Sequence, residues 1–238
     1  MIPILSIIIP CYNEADNIPL ILEKCNNVIT TLPTVEIILV NNGSTDNTTK
    51  VIENNLKINK YSNYKIVTIT NNIGYGNGIL QGLQQATAKV LAYTHADMQT
   101  NPIDILKAYQ LYTNSNNELT IVKGKRINRN WLDAVFTYGM ELYSNYKLRT
   151  KLNDINAQPK LFSQAFFNKI KENAPLDFSL DLYLLYKAKQ MGSIIDFPVV
   201  FAKRQYGVAK GGGTLKGKWK LIKRTLKYIN ELQQQLLQ

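Results

Sequence analysis

The sequence predicts an α/β fold: a mostly parallel sheet with helices on both faces, followed by a basic amphipathic helix. Three observations predict it. Short β-branched or aliphatic runs alternate with segments whose apolar residues recur at three- and four-residue spacing. This strand-then-helix unit repeats four times from the start of the chain. The last segment carries one apolar stripe among lysines.

Ile4–Ile9, Glu36–Val40, Lys65–Thr70 and Val90–Thr94 are expected to be strands buried on both faces, because their apolar runs are nearly continuous. Helices are expected between them at Asn17–Thr30, Asp46–Leu56 and Gly76–Ala88. In the first, Ile18, Ile21, Leu22, Cys25 and Val28 share a helical face, and Asp46 is placed to cap the second. Strand, helix and strand in this order require crossovers, hence a parallel sheet. After Pro102 the pattern predicts a helix at Ile103–Tyr112, a strand at Leu119–Val122 and a long helix at Trp131–Leu148. Trp131, Tyr138, Tyr143 and Tyr146 of that helix are expected in the core. A helix at Ser179–Lys189 and a strand around Ile194–Val200 follow. The terminal stripe is Leu215, Trp219, Ile222, Leu226, Ile229, Leu232 and Leu236, flanked by Lys216, Lys218, Lys220, Lys223, Arg224 and Lys227.

At 238 residues, with 45% hydrophobic and 19% charged side chains, the composition excludes a disordered chain. The formal charge is +11, but it is unevenly distributed. Residues 1–102 hold 6 basic and 7 acidic side chains; the remainder holds 22 and 10, with nine cations and no acid between Lys203 and Lys227. A nucleic-acid partner would call for interleaved aromatic and basic residues or a helix-turn-helix, and the pattern shows neither. Cys11 and Cys25 make no disulfide framework and read as packing residues of a protein in a reducing, cytoplasmic setting. No apolar run reaches the ~20 residues of a spanning helix, and Ile2–Ile9 lacks the flanks of a signal peptide. A soluble chain, or one peripheral on the cytoplasmic face of a membrane, is expected.

Open parallel sheets bind ligands outside the carboxyl ends of their strands. The expected strands run into Pro10-Cys11-Tyr12-Asn13-Glu14, Asn41-Asn42-Gly43-Ser44, Asn71-Asn72-Ile73-Gly74-Tyr75-Gly76 and His95-Ala96-Asp97-Met98-Gln99, so four polar or glycine-rich junctions would share one edge. Gly74-x-Gly76-x-Gly78 is not a dinucleotide fingerprint, because it follows the third strand and position 79 is Ile; no P-loop is present either. These glycines instead allow close backbone approach to a ligand or a neighbouring helix. His95, Asp97 and Gln99 alternate along an extended turn and can offer one nitrogen and two oxygens to a divalent cation holding a diphosphate.

Ser6-Ile-Ile-Ile-Pro10-Cys-Tyr12-Asn13-Glu14, Ile-Leu-Val-Asn41-Asn42-Gly43-Ser44-Thr-Asp46, His95-Ala96-Asp97-Met98-Gln99-Thr-Asn-Pro102 and Gly124-Lys-Arg126 occur in that order. The set resembles the family 2 inverting glycosyltransferases of the GT-A, Rossmann-like fold, in the branch that includes dolichyl- and polyprenyl-phosphate sugar transferases. Arg204-x-x-Gly207-x-x-Lys210 is similar to a late element of that branch. The resemblance implies one GT-A domain over residues 1–210, with a nucleotide-sugar half (1–102) and an acceptor half (103–210), then the basic helix at 211–238. By position it implies that Pro10, Tyr12, Asn13, Glu14, Asn41, Asn42, Ser44 and Gly76 line the nucleotide sugar. Asp97 and Gln99, with His95, would hold Mg²⁺ or Mn²⁺ and the diphosphate, and Arg126, Arg204 and Lys210 would meet phosphate groups. The chain departs from the usual family pattern at Asn41-Asn42 and at His95, where acidic residues are customary, and each departure removes negative charge.

The acceptor separates two readings. A hydroxyl acceptor needs a general base, for which Asp181 or Asp177 is available; a phosphate acceptor, with a second pKa of about 6, needs only cations to hold it. The alternative for Asp181 is a carboxylate on a helix surface, and for Arg126 a surface ion pair. A homologue that binds nucleotide without catalysis is the third reading. The terminal helix can dock on the domain, pair in a homo-oligomer, or lie on an anionic membrane.

Overall fold

The computed structural model describes residues 2–59, 62–128, 131–207 and 215–236. Seven strands form one sheet in the order β3-β2-β1-β4-β6-β5-β7. They are β1 (Leu5–Cys11), β2 (Val35–Asn42), β3 (Tyr64–Ile69), β4 (Val90–Tyr93), β5 (Thr120–Ile127), β6 (Lys160–Ser163) and β7 (Ser193–Val200). The helices are α1 (Ile18–Thr31), α2 (Thr48–Asn59), α3 (Tyr75–Gln84), α4 (Asp104–Asn114), α5 (Trp131–Lys147), α6 (Gln164–Ile170), α7 (Leu180–Met191) and α8 (Leu215–Leu236). Strands β1 to β4 pair in parallel, as do β5 and β7, whereas β6 runs antiparallel to both its neighbours.

Side-chain alternation along the central strands builds the two layers. Ile8 of β1 and Ile38 and Val40 of β2 face α3, α6, α7 and the far end of α8; Leu5, Ile7, Ile9 and Cys11 face the opposite layer of α1, α2 and α4. Each fully buried aliphatic chain contributes ~1.5–3 kcal/mol, which is why runs apolar on both faces settle at the sheet centre. Strand β3 departs from the expected double burial. It is an edge strand, and its residues are partly buried or exposed.

Two further expectations are corrected. Strand β6 and helix α6 have no counterpart in the sequence reading; β6 is only four residues long, and Ser163 ends it and caps α6 by accepting from the Phe166 amide. Tyr138 and Tyr146 of α5 are not core residues but 61% and 80% exposed, while Tyr143 packs on the core and bonds Asn230 of α8. On α8 itself Ile229 and Leu232 are buried, so this part of the stripe docks, whereas Trp219 of the same stripe is 63% exposed.

Candidate functional site

The parallel register places the ends of β1, β2 and β4 side by side, and the loops beyond them are fastened to one another. Asn13, at positive φ, accepts at Oδ1 from the Thr45 amide (2.7 Å), and its own amide donates to Ser44 Oγ (3.1 Å). The Glu14 amide donates to Thr48 Oγ1, and Asp46 Oδ1 accepts from the Thr48 amide at 2.9 Å, the capping contact expected of it. Asn41 accepts from the Ser44 amide and donates to Thr49 Oγ1, while Asn42 donates to the Gly74 carbonyl. Both asparagines are nearly fully buried, so they shape the loop from beneath. Pro10 is still within β1, opposite Val40, and Tyr12 follows it half-buried.

Gly76 makes a close backbone approach, but to a loop and not to a helix. A Cβ there would lie 2.5 Å from the Pro175 carbonyl oxygen, and the Asn77 amide bonds the Leu176 carbonyl. Residues 175–177 thus cover the start of α3. Next to them the rings of His95, Tyr75 and Phe178 stack in series, with centroids 5.7 and 4.7 Å apart. Burial holds the His95 imidazole below its ordinary pKa against the pull of Asp97 and Asp181, so the ring is neutral at pH 7.

Beyond β4, Asp97 and Gln99 converge on one cationic group. Arg204 Nη2 lies 2.6 Å from Asp97 Oδ2 and 3.3 Å from Gln99 Oε1, and Nη1 lies 3.9 Å from Glu14 Oε1. The motif around Arg204 implies a phosphate partner and gives no sign of its pairing with Asp97. Among the described residues no cluster of three or more His, Cys, Asp or Glu side chains is arranged to hold a metal; His95 is engaged with Tyr75.

Arg126 is likewise committed: its amide and Nε bond Asp154 at 2.7 and 2.8 Å, Nη2 also contacts Asp154, and the guanidinium lies over the Phe201 ring. The pair is almost buried, not a surface ion pair. Lys210 lies outside the described residues.

Asp181 is not on a helix surface. It is 2% exposed, and its Oδ1 accepts from Lys160 Nζ (2.6 Å), Tyr93 Oη (2.6 Å) and Gln158 Nε2 (3.1 Å). Burial, opposed by Asp181, brings the Lys160 amine down to about 8, while burial and then Asp181 raise the Tyr93 hydroxyl well above its usual value, so Tyr93 stays a donor. Asp177, the other candidate base, lies 3.5 Å from Arg224 of α8. Nothing in the sequence pattern marks Lys160, Gln158, Tyr93 or Asp154 beyond the lysine that opens β6 directly before Leu161 and Phe162.

The model of glycosyl transferase family 2 matches residues 6–173. The chain belongs to that family. It is a glycosyltransferase, and its relatives include the polyprenol monophosphomannose synthase of Mycolicibacterium smegmatis, 26% identical over 87% of this chain and 81% of that protein. The dolichyl-phosphate beta-glucosyltransferase of Dictyostelium discoideum is 23% identical over 79% of this chain and 62% of its own length. The undecaprenyl-phosphate 4-deoxy-4-formamido-L-arabinose transferase of Proteus mirabilis is 32% identical over 52% of this chain and 37% of its own. Among solved structures, glucosyl-3-phosphoglycerate synthase from Mycobacterium tuberculosis with Mn²⁺ and UDP superposes with a TM-score of 0.68 at 13% identity, over 94% of this chain and 77% of that one. A mannosyltransferase from Pyrobaculum calidifontis with GDP-Man and Mn²⁺ gives 0.63 at 20% identity, over 94% and 61%. At these identities the likeness establishes the fold, which is GT-A, and the two complexes hold nucleotide and Mn²⁺ in their own sites.

Proposed function

We propose that the chain moves a sugar, with inversion, from a nucleoside-diphosphate sugar to a polyprenyl phosphate. The observation that carries this reading is the state of Asp181. A general base must have a free lone pair near the acceptor; Asp181 is buried, and one of its oxygens already accepts from an ammonium, a phenol and an amide. A phosphate acceptor needs no base. The names of the three relatives, for polyprenol, dolichyl and undecaprenyl phosphate, point to the same acceptor class.

Asp97 and Gln99 fit a divalent cation: two oxygens two residues apart already converge on one cationic nitrogen, and a hard cation accepts oxygen donors from diphosphate and water for the rest of its shell. Such a cation, when bound, offsets the charge that grows on the departing diphosphate. In this reading the laced loops of Asn13, Glu14 and Ser44, with Pro10 and Tyr12, form the nucleotide wall, and Arg126, Arg204 and Lys210 supply positive charge toward phosphate.

The acceptor class also explains a surface. Tyr138, Leu142 and Tyr146 recur every four residues on α5 and are exposed, as is Trp219 at the start of the lysine-rich α8. No described helix is long and apolar enough to cross a membrane. Exposed aromatic residues, together with a helix whose sequence is rich in lysine, suit contact with an anionic bilayer surface, where a polyprenyl phosphate resides.

The test is donor turnover over a panel of nucleotide sugars with Mg²⁺ or Mn²⁺, with and without a short-chain polyprenyl phosphate. Stimulation by the lipid is expected. Stimulation by a soluble glycan and not by the lipid would overturn the reading and restore Asp181 as a base; no turnover of any donor would leave a nucleotide-binding homologue.

A further inference from the structure

Arg204 follows β7 in a segment tied to the loop after β4: the Ala202 amide bonds the Gln99 carbonyl at 2.9 Å, and Gln99 Nε2 reaches the Ala202 carbonyl at 3.4 Å. These ties bring the guanidinium to the edge where Glu14, from the loop after β1, meets Asp97 and Gln99, from the loop after β4. The Arg204 side chain is 19% exposed, so it touches both the acidic edge and the solvent. Asp97 Oδ1 accepts from the Gln99 amide at 3.1 Å, which leaves Oδ2 as the oxygen turned to an outside charge, and Arg204 takes it. The same Arg204 nitrogen also takes Gln99 Oε1. The two oxygens assigned above to a divalent cation are therefore both engaged by one permanently charged group.

We infer that Arg204 is the resident counter-cation of this edge, and that a divalent cation binds Asp97 and Gln99 only by displacing it. The inference rests on the proposed cation site but not on the identity of the acceptor. A guanidinium cannot discharge by losing its proton, so the exchange must be one cation for another. Before exchange, Arg204 keeps Asp97 from standing as an uncompensated carboxylate in a site that is mostly buried. After it, the guanidinium fork, which matches phosphate geometry, is released from the carboxylate. Arg204 is thus a positioning residue whose loss strengthens metal binding in the absence of substrate, opposite to what loss of a metal ligand does.

The test is Mn²⁺ affinity of the full chain without nucleotide, read from the electron paramagnetic resonance signal of free Mn²⁺, for the wild type, Arg204→Gln and Arg204→Lys. Arg204→Gln is expected to bind Mn²⁺ roughly tenfold more tightly, the scale of one charge-assisted hydrogen bond. Arg204→Lys, which keeps the charge but loses the fork, is expected to shift the same way by less, and it serves if Arg204→Gln does not fold. Unchanged or weaker affinity in a folded variant overturns the exchange. Absence of Mn²⁺ binding in every variant overturns the cation site as well. An affinity shift in a chain that ignores polyprenyl phosphate would uphold the exchange and fault only the acceptor reading.

Discussion

On the β1–β2 side of the sheet, Asn13, Asn41, Ser44, Thr45 and Thr48 join two loops through hydrogen bonds that are mostly between neutral groups, with Asp46 as cap. On the β5–β7 side the joints are ionic and largely buried: Lys160 with Asp181, Arg126 with Asp154, and Lys123, 1% exposed, at 3.1 Å from Asp196. The two kinds of joint fail differently. A neutral hydrogen bond contributes ~0.5–1.5 kcal/mol net, and water can replace its partner at a partly exposed loop. A buried ion pair adds little over a well-packed apolar pair, yet removal of one member strands a charge at ~3–5 kcal/mol. The β1–β2 side therefore tolerates single changes, while the β5–β7 side tolerates only paired ones.

The largest expected effect breaks the ionic side. Lys160→Met leaves Asp181 unpaired and should lower the unfolding free energy by ~3–5 kcal/mol in urea titrations. The double variant Lys160→Met with Asp181→Asn should recover most of that loss. If the single and double variants are equally unstable, the pair is not the joint described here.

A second effect, smaller at any one pH, sharpens the contrast. The folded Lys160 amine titrates at about 8, below the ~10.4 of an ordinary lysine. Between those values the unfolded chain holds a proton that the folded chain has released. The wild type should then gain stability relative to the double variant by up to ~1.4 kcal/mol per pH unit. This contribution is complete above the unfolded value and is lost as pH falls through about 8. Parallel stability curves from pH 7 to 10.5 would contradict it.

The smallest effect is on the neutral side. Asn13→Ala removes the acceptor of the Thr45 amide and should cost ~1 kcal/mol, with nucleotide affinity falling a few-fold by titration calorimetry. A loss as large as that of Lys160→Met would erase the distinction between the two sides.

The charge distribution looks different in this light. The sequence shows an excess of +11 concentrated after residue 102, and phosphate groups were the evident destination for its arginines. In the fold Arg126 and Arg204 also have acidic partners, Asp154 and Asp97. Much of the remaining excess lies on α8, whose described end is docked through Ile229 and Leu232 while Trp219 stays exposed.

Local pattern alone determined the parallel half of the fold. Continuous apolar runs mark strands covered on both faces, three- and four-residue spacing marks helices, and polar junctions after strands one, two and four mark the binding edge; all three are properties of neighbouring residues. The motif order around Glu14, Ser44, Asp97 and Arg126 likewise carried the family. Tertiary structure decided whatever depends on partners far apart in the chain. Lys160 meets Asp181 twenty-one residues on, and Arg204 meets Asp97 one hundred and seven residues back. No periodicity records such pairings, because a charge seeks its counter-ion in space. Strand β6 was illegible for the same reason: four residues that begin with a lysine sit inside the sheet, and that lysine is met there by Asp181 and by the Tyr93 ring.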